Sequence, residues 1–173
     1  MLAASPGPAP VARSSFADAG GGLRVLVDAG NGCASQWAPE AMRRAGEVIL
    51  EVGEEYARLS GRRYGFFEAH HLDDAERAIV VLGSTAGTAK QAADELRAQG
   101  QKVGVLMLRV FRPFPSREII KALKNVKIIG VMDRCVSFGQ EGGPVFHEIQ
   151  SAAYSAGLRT PIARYVYGLG GRD

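Results

Sequence analysis

This chain of 173 residues has two cysteines, one tryptophan and three histidines. Cys33 and Cys135 stand far apart, with no CxxC pair and no zinc-ligand spacing around them. A disulfide framework is therefore not expected, and a reducing, cytoplasmic setting is the easier fit. No apolar run approaches the roughly 20 residues that span a bilayer. The first residues lack the basic segment and following apolar segment of a secretory signal. Charge of one sign is also scarce in any one place: 21 basic residues face 18 acidic ones, for a net charge of +3. Arg62-Arg63 and the scattered Lys121, Lys124 and Lys127 make no basic stripe, which argues against a nucleic-acid partner. Ser137 has no G-x-S-x-G elbow and no histidine near it in sequence, which argues against a nucleophilic serine.

Apolar residues make up 46% of the chain, enough to bury a core in one domain of ordinary size. The organising stretch is Ala78 to Thr88, AIVVLGSTAGT. Its β-branched run without polar alternation predicts a strand buried on both faces. Gly83 and Gly87 permit a tight turn, and Ser84 or Thr85 is placed to cap the next helix. Such a turn is able to hold an anion on backbone N–H groups, although most turns of this kind only connect.

In chain order, residues 1–22 are rich in Ala, Pro, Ser and Gly and are expected to be disordered. Leu23 to Asp28 reads as a strand, and Asn31-Gly32 as its turn. Pro39 to about Leu59 reads as an amphipathic helix whose apolar stripe is Met42, Ala45, Val48, Ile49, Val52 and Tyr56. Tyr64 to Ala69 reads as a short strand. His70-His71-Leu72-Asp73-Asp74 then reads as a polar loop. Adjacent side chains on an extended chain point to opposite sides, which argues against one ion shared by His70 and His71.

A helix after Thr88 buries Ala89, Ala92, Ala93 and Leu96 and ends at Gly100. Val103 to Val110 is a further strand, and two prolines interrupt Phe111 to Pro115. Ser116 is expected to cap a helix over Arg117 to Lys124. Val126 to Met132 and Ile162 to Tyr167 read as strands. Between them, Pro144 opens a helix that buries Val145, Phe146, Ile149, Ala152 and Ala153, with His147 at the surface. The domains expected are a leader over 1–22, a strand–turn–helix segment over 23–61 and an α/β domain over 62–173, truncated at its C-terminus.

Alternating strands and helices predict an α/β fold with a mostly parallel sheet and helices on both faces. In such sheets, loops at the carboxyl ends of strands are where other molecules bind. Those loops hold Gly83, Ser84, Thr85, Gly87, Arg112, Asp133, Arg134, Ser137, Phe138, Gly139, Glu141, Gly142, Gly143, Gly170 and Arg172. They are taken as candidate contact residues of a docking surface, because glycines let another backbone approach closely. Asp133-Arg134 is read as an ion pair fixing its loop, and Cys135 as an inert thiol.

The segments RRYGFFEAHHLDDAERAIVVLGSTAGT, LRVFRPFP, DRCVSFGQEGGPVFHEI and YVYGLGGRD together resemble the alpha subunit of pyruvate:ferredoxin and related 2-oxoacid:ferredoxin oxidoreductases. The likeness is to its second domain, of transketolase C-terminal-like fold, and covers about residues 47–173. It implies a three-layer α/β/α sandwich with the Tyr64 to Ala69 strand antiparallel at an edge, and a strand order unlike the chain order. It implies a holoenzyme that oxidatively decarboxylates a 2-oxoacid, pyruvate first, with coenzyme A. Thiamine diphosphate, Mg and iron–sulfur clusters serve that holoenzyme, which passes electrons to ferredoxin or flavodoxin. None of these groups is expected on this chain, since two isolated cysteines cannot supply a four-cysteine cluster. No catalytic, cofactor-binding or metal-binding residue is carried over. The partners implied are other domains or subunits of the oxidoreductase, with no nucleic acid and no membrane.

Upstream, GLRVLVDAGNGCASQWAPEAMRRAG resembles the strand–turn–helix that opens the second domain of phosphohexomutases of the phosphoglucosamine mutase type, over about residues 22–46. The phosphoserine loop and metal-binding aspartates of that family are missing, so no mutase activity is implied. The two likenesses meet near Ala45 to Val48, and the expectation is a junction of two unrelated gene pieces, or a remnant. Beside the oxidoreductase reading stand two others: a separate protein-interaction module that keeps the fold, and a small-ligand binder using the Gly83 to Thr88 turn.

Overall fold

The computed structural model describes residues 34–168. The leader expected over 1–22, the strand Leu23 to Asp28, the Asn31-Gly32 turn, Cys33, Gly170 and Arg172 lie outside the described residues. In order the elements are α1 (Ala34–Ser60), β1 (Phe67–His70), β2 (Arg77–Leu82), α2 (Thr85–Ala98) and β3 (Val103–Leu108). They are followed by α3 (Ser116–Leu123), β4 (Ile128–Asp133), α4 (Pro144–Ser155) and β5 (Ile162–Val166). The chain divides into two compact units, 1–45 and 46–173, and the division falls inside α1, whereas the sequence suggested a boundary after residue 61. The sheet and its helices belong to the second unit.

The apolar runs behave as their composition dictates. Val80 and Val81 of β2 point to opposite faces, and neither has any exposed surface; Ile129 and Val131 of β4 are equally buried. The sheet order is β1-β3-β2-β4-β5. β2, β3, β4 and β5 pair in parallel, and β1 runs antiparallel at the edge, with Phe67 opposite Leu108 and His70 opposite Val105. The chain order thus reverses after β3, so the crossover helices fall on both faces.

One face carries α3 and α4: Ile119, Leu123, Val145, Phe146 and Ile149 pack on Val80, Leu106, Leu108, Ile129 and Val131. The other carries α2, whose Ala86 and Ala93 sit on Val81 and Val105. Each fully buried Val, Leu or Ile contributes about 1.5–3 kcal/mol relative to exposure, so the α3–α4 side is the larger stabilising layer. Beside α2 the second face stays partly open. A groove of about 430 Å³ runs over Ile79, Gly130, Met132 and Ala163, and Ile128 and Tyr165 there are 48% and 54% exposed.

Several expectations are corrected in detail. Val48, Val52 and Tyr56 of the α1 stripe are exposed, and the buried position in this stretch of the helix is Gly53, where a Cβ would run into the Tyr64 carbonyl. Ser116 is the first residue of α3 and not its cap, and Ser84 makes no capping hydrogen bond through its side chain. The turn after β2 is closed by backbone alone: Ala86 N–H donates to the Gly83 carbonyl at 3.3 Å and Gly87 N–H to the Ser84 carbonyl at 3.0 Å.

Candidate functional site

Four parallel strands end at one edge of the sheet, and the loops that leave them form one face. One part of it is built on Asp133, the last residue of β4. Asp133 is 4% exposed, and its Oδ1 accepts from Val145 N–H at 3.0 Å and its Oδ2 from Phe146 N–H at 2.9 Å. Pro144 ahead of them has no N–H to satisfy, so the carboxylate meets the first two free donors of α4. A negative charge there is also favoured by the helix dipole. Its own carbonyl accepts from Tyr167 N–H at 3.0 Å, so one residue ties together β4, α4 and the exit of β5.

Two glycines are required by this joint. A Cβ on Gly143 would overlap the Asp133 side chain, and one on Gly142 would lie 2.5 Å from the Phe146 ring. Asp133, Gly142 and Gly143 are therefore buried beneath the loop and present no surface to a partner. In place of the expected Asp133–Arg134 ion pair, both carboxylate oxygens of Asp133 accept backbone donors at the start of α4. The Arg134 guanidinium lies instead 5.8 Å from the Tyr167 ring centroid.

On this base the loop projects outward. Ser137 N–H donates to the Gly142 carbonyl at 2.8 Å and Gln140 N–H to the Ser137 carbonyl at 3.0 Å, and Gly139 takes φ +70°. The closed turn leaves Phe138 fully exposed, with Val136 and the free thiol Cys135 beside it. Glu141 reaches Arg164 of β5 at 3.0 Å. His147 is half-buried under the loop, its Nε2 3.1 Å from the Gly142 carbonyl.

The neighbouring loop after β3 presents Arg112, which stacks on the Phe111 ring at 4.1 Å and reaches Glu148 at 2.7 Å. Gly83 (φ +92°), Ser84, Thr85 and Gly87 stand at the same edge after β2, all exposed except the half-buried Thr85. With Ala86 and Gly87 N–H engaged within the turn, little of an anion cradle is left. The face thus brings together Arg112, Arg134, Ser137, Phe138, Gly139 and Glu141 around an aromatic tip. Among the described residues, the face has no serine paired with a histidine by a hydrogen bond.

A second cluster stands at the antiparallel edge of the sheet, between β1 and α2. Along β1, alternate residues Glu68 and His70 turn toward α2, where Lys90 and Asp94 are one turn apart. Glu68 pairs with Lys90 and with Arg109, and these partners hold its carboxyl below the usual range, the Lys90 hydrogen bond most of all. His70 Nε2 lies 2.7 Å and His71 Nε2 2.9 Å from the same Asp94 Oδ1. The hydrogen bond from His70 is the main cause that keeps Asp94 acidic.

This convergence corrects the argument from strand alternation. His71 has left the strand and takes φ +53°, so its ring swings to the side of its neighbour, with the ring centroids 4.1 Å apart. The turn passes directly over β3 at Gly104, where a Cβ would meet the His71 carbonyl at 2.6 Å. Only Gly104, a glycine in the middle of an apolar strand, hinted at that close approach in the sequence.

Residues 75–173 match the family described as pyruvate:ferredoxin oxidoreductase core domain II. The pyruvate synthase subunit PorA of Thermotoga maritima is 44% identical over 134 residues, 78% of this chain and 34% of that protein. The ketoisovalerate oxidoreductase subunit VorA of Pyrococcus horikoshii is 43% identical over 135 residues, again 78% and 34%. The chain thus spans about one third of the length of these curated relatives. Among solved structures, a 2-oxoglutarate:ferredoxin oxidoreductase from Magnetococcus marinus, with 2-oxoglutarate, coenzyme A and succinyl-CoA bound, aligns with 84% of this chain and 24% of that one. Its TM-score is 0.48 at 19% identity.

Proposed function

The chain belongs to the pyruvate:ferredoxin oxidoreductase core domain II family, and on that premise we propose that it serves as a structural, subunit-contacting domain of a 2-oxoacid:ferredoxin oxidoreductase alpha subunit. The holoenzyme would decarboxylate pyruvate or a related 2-oxoacid oxidatively with coenzyme A and deliver electrons to ferredoxin or flavodoxin. The observation that carries the contacting role is Phe138: a fully exposed aromatic side chain on a loop whose base is pinned by Asp133. Exposed aromatics on preorganised supports are what interface centres are made from. Arg112, Arg134, Ser137, Gly139 and Glu141 form the polar rim of the same face.

The thiol chemistry supports a role without a resident iron–sulfur cluster. A four-thiolate cluster is beyond two cysteines. Mg²⁺ seeks free carboxylate oxygens, and the buried carboxylate at the loop face is already used on α4. On this reading thiamine diphosphate, Mg and the iron–sulfur clusters are held by other parts of the assembly. The two sequence likenesses that meet near Ala45 to Val48 support reading that region as a junction, which sequencing across the locus tests: an oxidoreductase reading frame that continues intact upstream overturns it.

Capture of the chain from anaerobic extract of its source tests the main reading. Coenzyme A- and pyruvate-dependent viologen reduction in the captured material is the expected result. A different partner, captured without thiamine- or cluster-bearing chains, would instead favour a separate interaction module, which the exposure of Phe138 would serve equally well.

A further inference from the structure

The one cluster of metal-ligating side chains among the described residues is His70, His71 and Asp94, between the edge strand β1 and α2. We propose that these three residues bind a late first-row divalent metal ion, of which Zn²⁺ is the natural probe. One donor atom from each residue lies within 4.8 Å of the other two. A tetrahedral ion with bonds of about 2.0–2.1 Å needs donors separated by about 3.3 Å. The 2.7 and 2.9 Å separations to Asp94 Oδ1 would widen by about 0.4–0.6 Å, and the two imidazole nitrogens would settle at the same spacing.

The donor types select the ion. Two imidazole nitrogens and one carboxylate oxygen suit zinc, copper or nickel, whereas calcium and magnesium prefer all-oxygen shells. Three protein ligands leave the fourth position to water. That position faces solvent, since the side chains of His71 and Asp94 are 43% and 54% exposed. The cations of α2 on either side of Asp94 are already paired, Lys90 with Glu68 and Arg97 with Asp74.

The scaffold holds the ligands without much freedom. His70 lies in the paired register opposite Val105, and Asp94 follows the buried Ala93 in α2. The peptide after His71 is seated over Gly104, leading to the buried Leu72. An ion here would pin the antiparallel edge strand to the helix that crosses over β3. It would stabilise this end of the sheet by binding the folded state alone.

The test uses the full chain stripped with a chelator and titrated with Zn²⁺. Calorimetry is expected to give one saturable site, and thermal unfolding to shift upward with Zn²⁺ and return on chelation. His70→Gln and His71→Gln should each weaken binding by at least about tenfold. A Cys33→Ser, Cys135→Ser, His147→Gln triple variant should bind as the parent does. Should a glutamine variant fold poorly, Co²⁺ on the parent chain decides. Tetrahedral d–d bands without thiolate charge transfer support the site, and thiolate bands or octahedral spectra overturn it. Zinc binding undiminished in both glutamine variants, or abolished in the triple variant, also overturns the proposal, as does the absence of a saturable site.

Discussion

The carboxylate of Asp133 accepts the backbone N–H of Phe146 at 2.9 Å, across a sequence gap that holds the whole exposed loop. Strand end and helix start are thereby locked together, and the loop between them is carried on a rigid base. Asp133→Ala would leave two donors of α4 without a partner in a buried place. A loss of about 2–3 kcal/mol in denaturant unfolding is expected. Asp133→Asn keeps one acceptor and should lose less. Equal stability of the parent and the alanine variant would show that water replaces the carboxylate.

Gly143 and Gly87 make a matched pair of opposite sign. A methyl on Gly143 overlaps the Asp133 side chain, so Gly143→Ala should destabilise by roughly 1–3 kcal/mol. A methyl on Gly87 meets nothing within 4 Å, and the residue lies inside α2. Gly87→Ala should therefore stabilise by about 0.5–1 kcal/mol. Melting temperatures of the two variants, measured side by side, check both signs.

Phe138→Ser removes an aromatic side chain that touches little of its own domain. Stability should change by less than about 0.5 kcal/mol. Docking to the oxidoreductase partner should weaken by about 2 kcal/mol or more if Phe138 is the centre of the contact. A variant that still copurifies as the parent does would remove Phe138 from the interface.

Glu68 links stability to pH. Its hydrogen bond to Lys90 and the charges of Lys90 and Arg109 lower its carboxyl from 4.5 in the folded state. The stabilisation is complete above that unfolded value and is lost as pH falls through the lower folded one. Acid unfolding of the parent should steepen below about pH 4.5, and Glu68→Gln should flatten the curve there. The side chain is 37% exposed, so added salt should shrink the difference. A Glu68→Gln curve parallel to the parent's would exclude this contribution.

Much of this architecture is legible in local patterns. AIVVLG and its neighbours announce strands buried on both faces, since no polar residue interrupts them, and Pro144 marks the first residue of α4 through its missing donor. The motif string from Arg62 to Thr88 and the loops after it carried the family likeness as well. The apolar stripe from Met42 to Tyr56 does lie on a helix, yet periodicity says nothing about what covers the helix, and Val48, Val52 and Tyr56 are exposed.

The sequence by itself determined the element types, the parallel α/β class and the polar, glycine-rich nature of the loop face. These follow from backbone preferences and nearest neighbours in the chain. Only the tertiary structure decided the order β1-β3-β2-β4-β5, the burial of Asp133 beneath its loop and the meeting of His70 and His71 with Asp94. The physical reason is common to all three. Each depends on groups distant along the chain, brought together by burying two faces of one sheet, and at His71 on a single left-handed residue that overrides strand alternation.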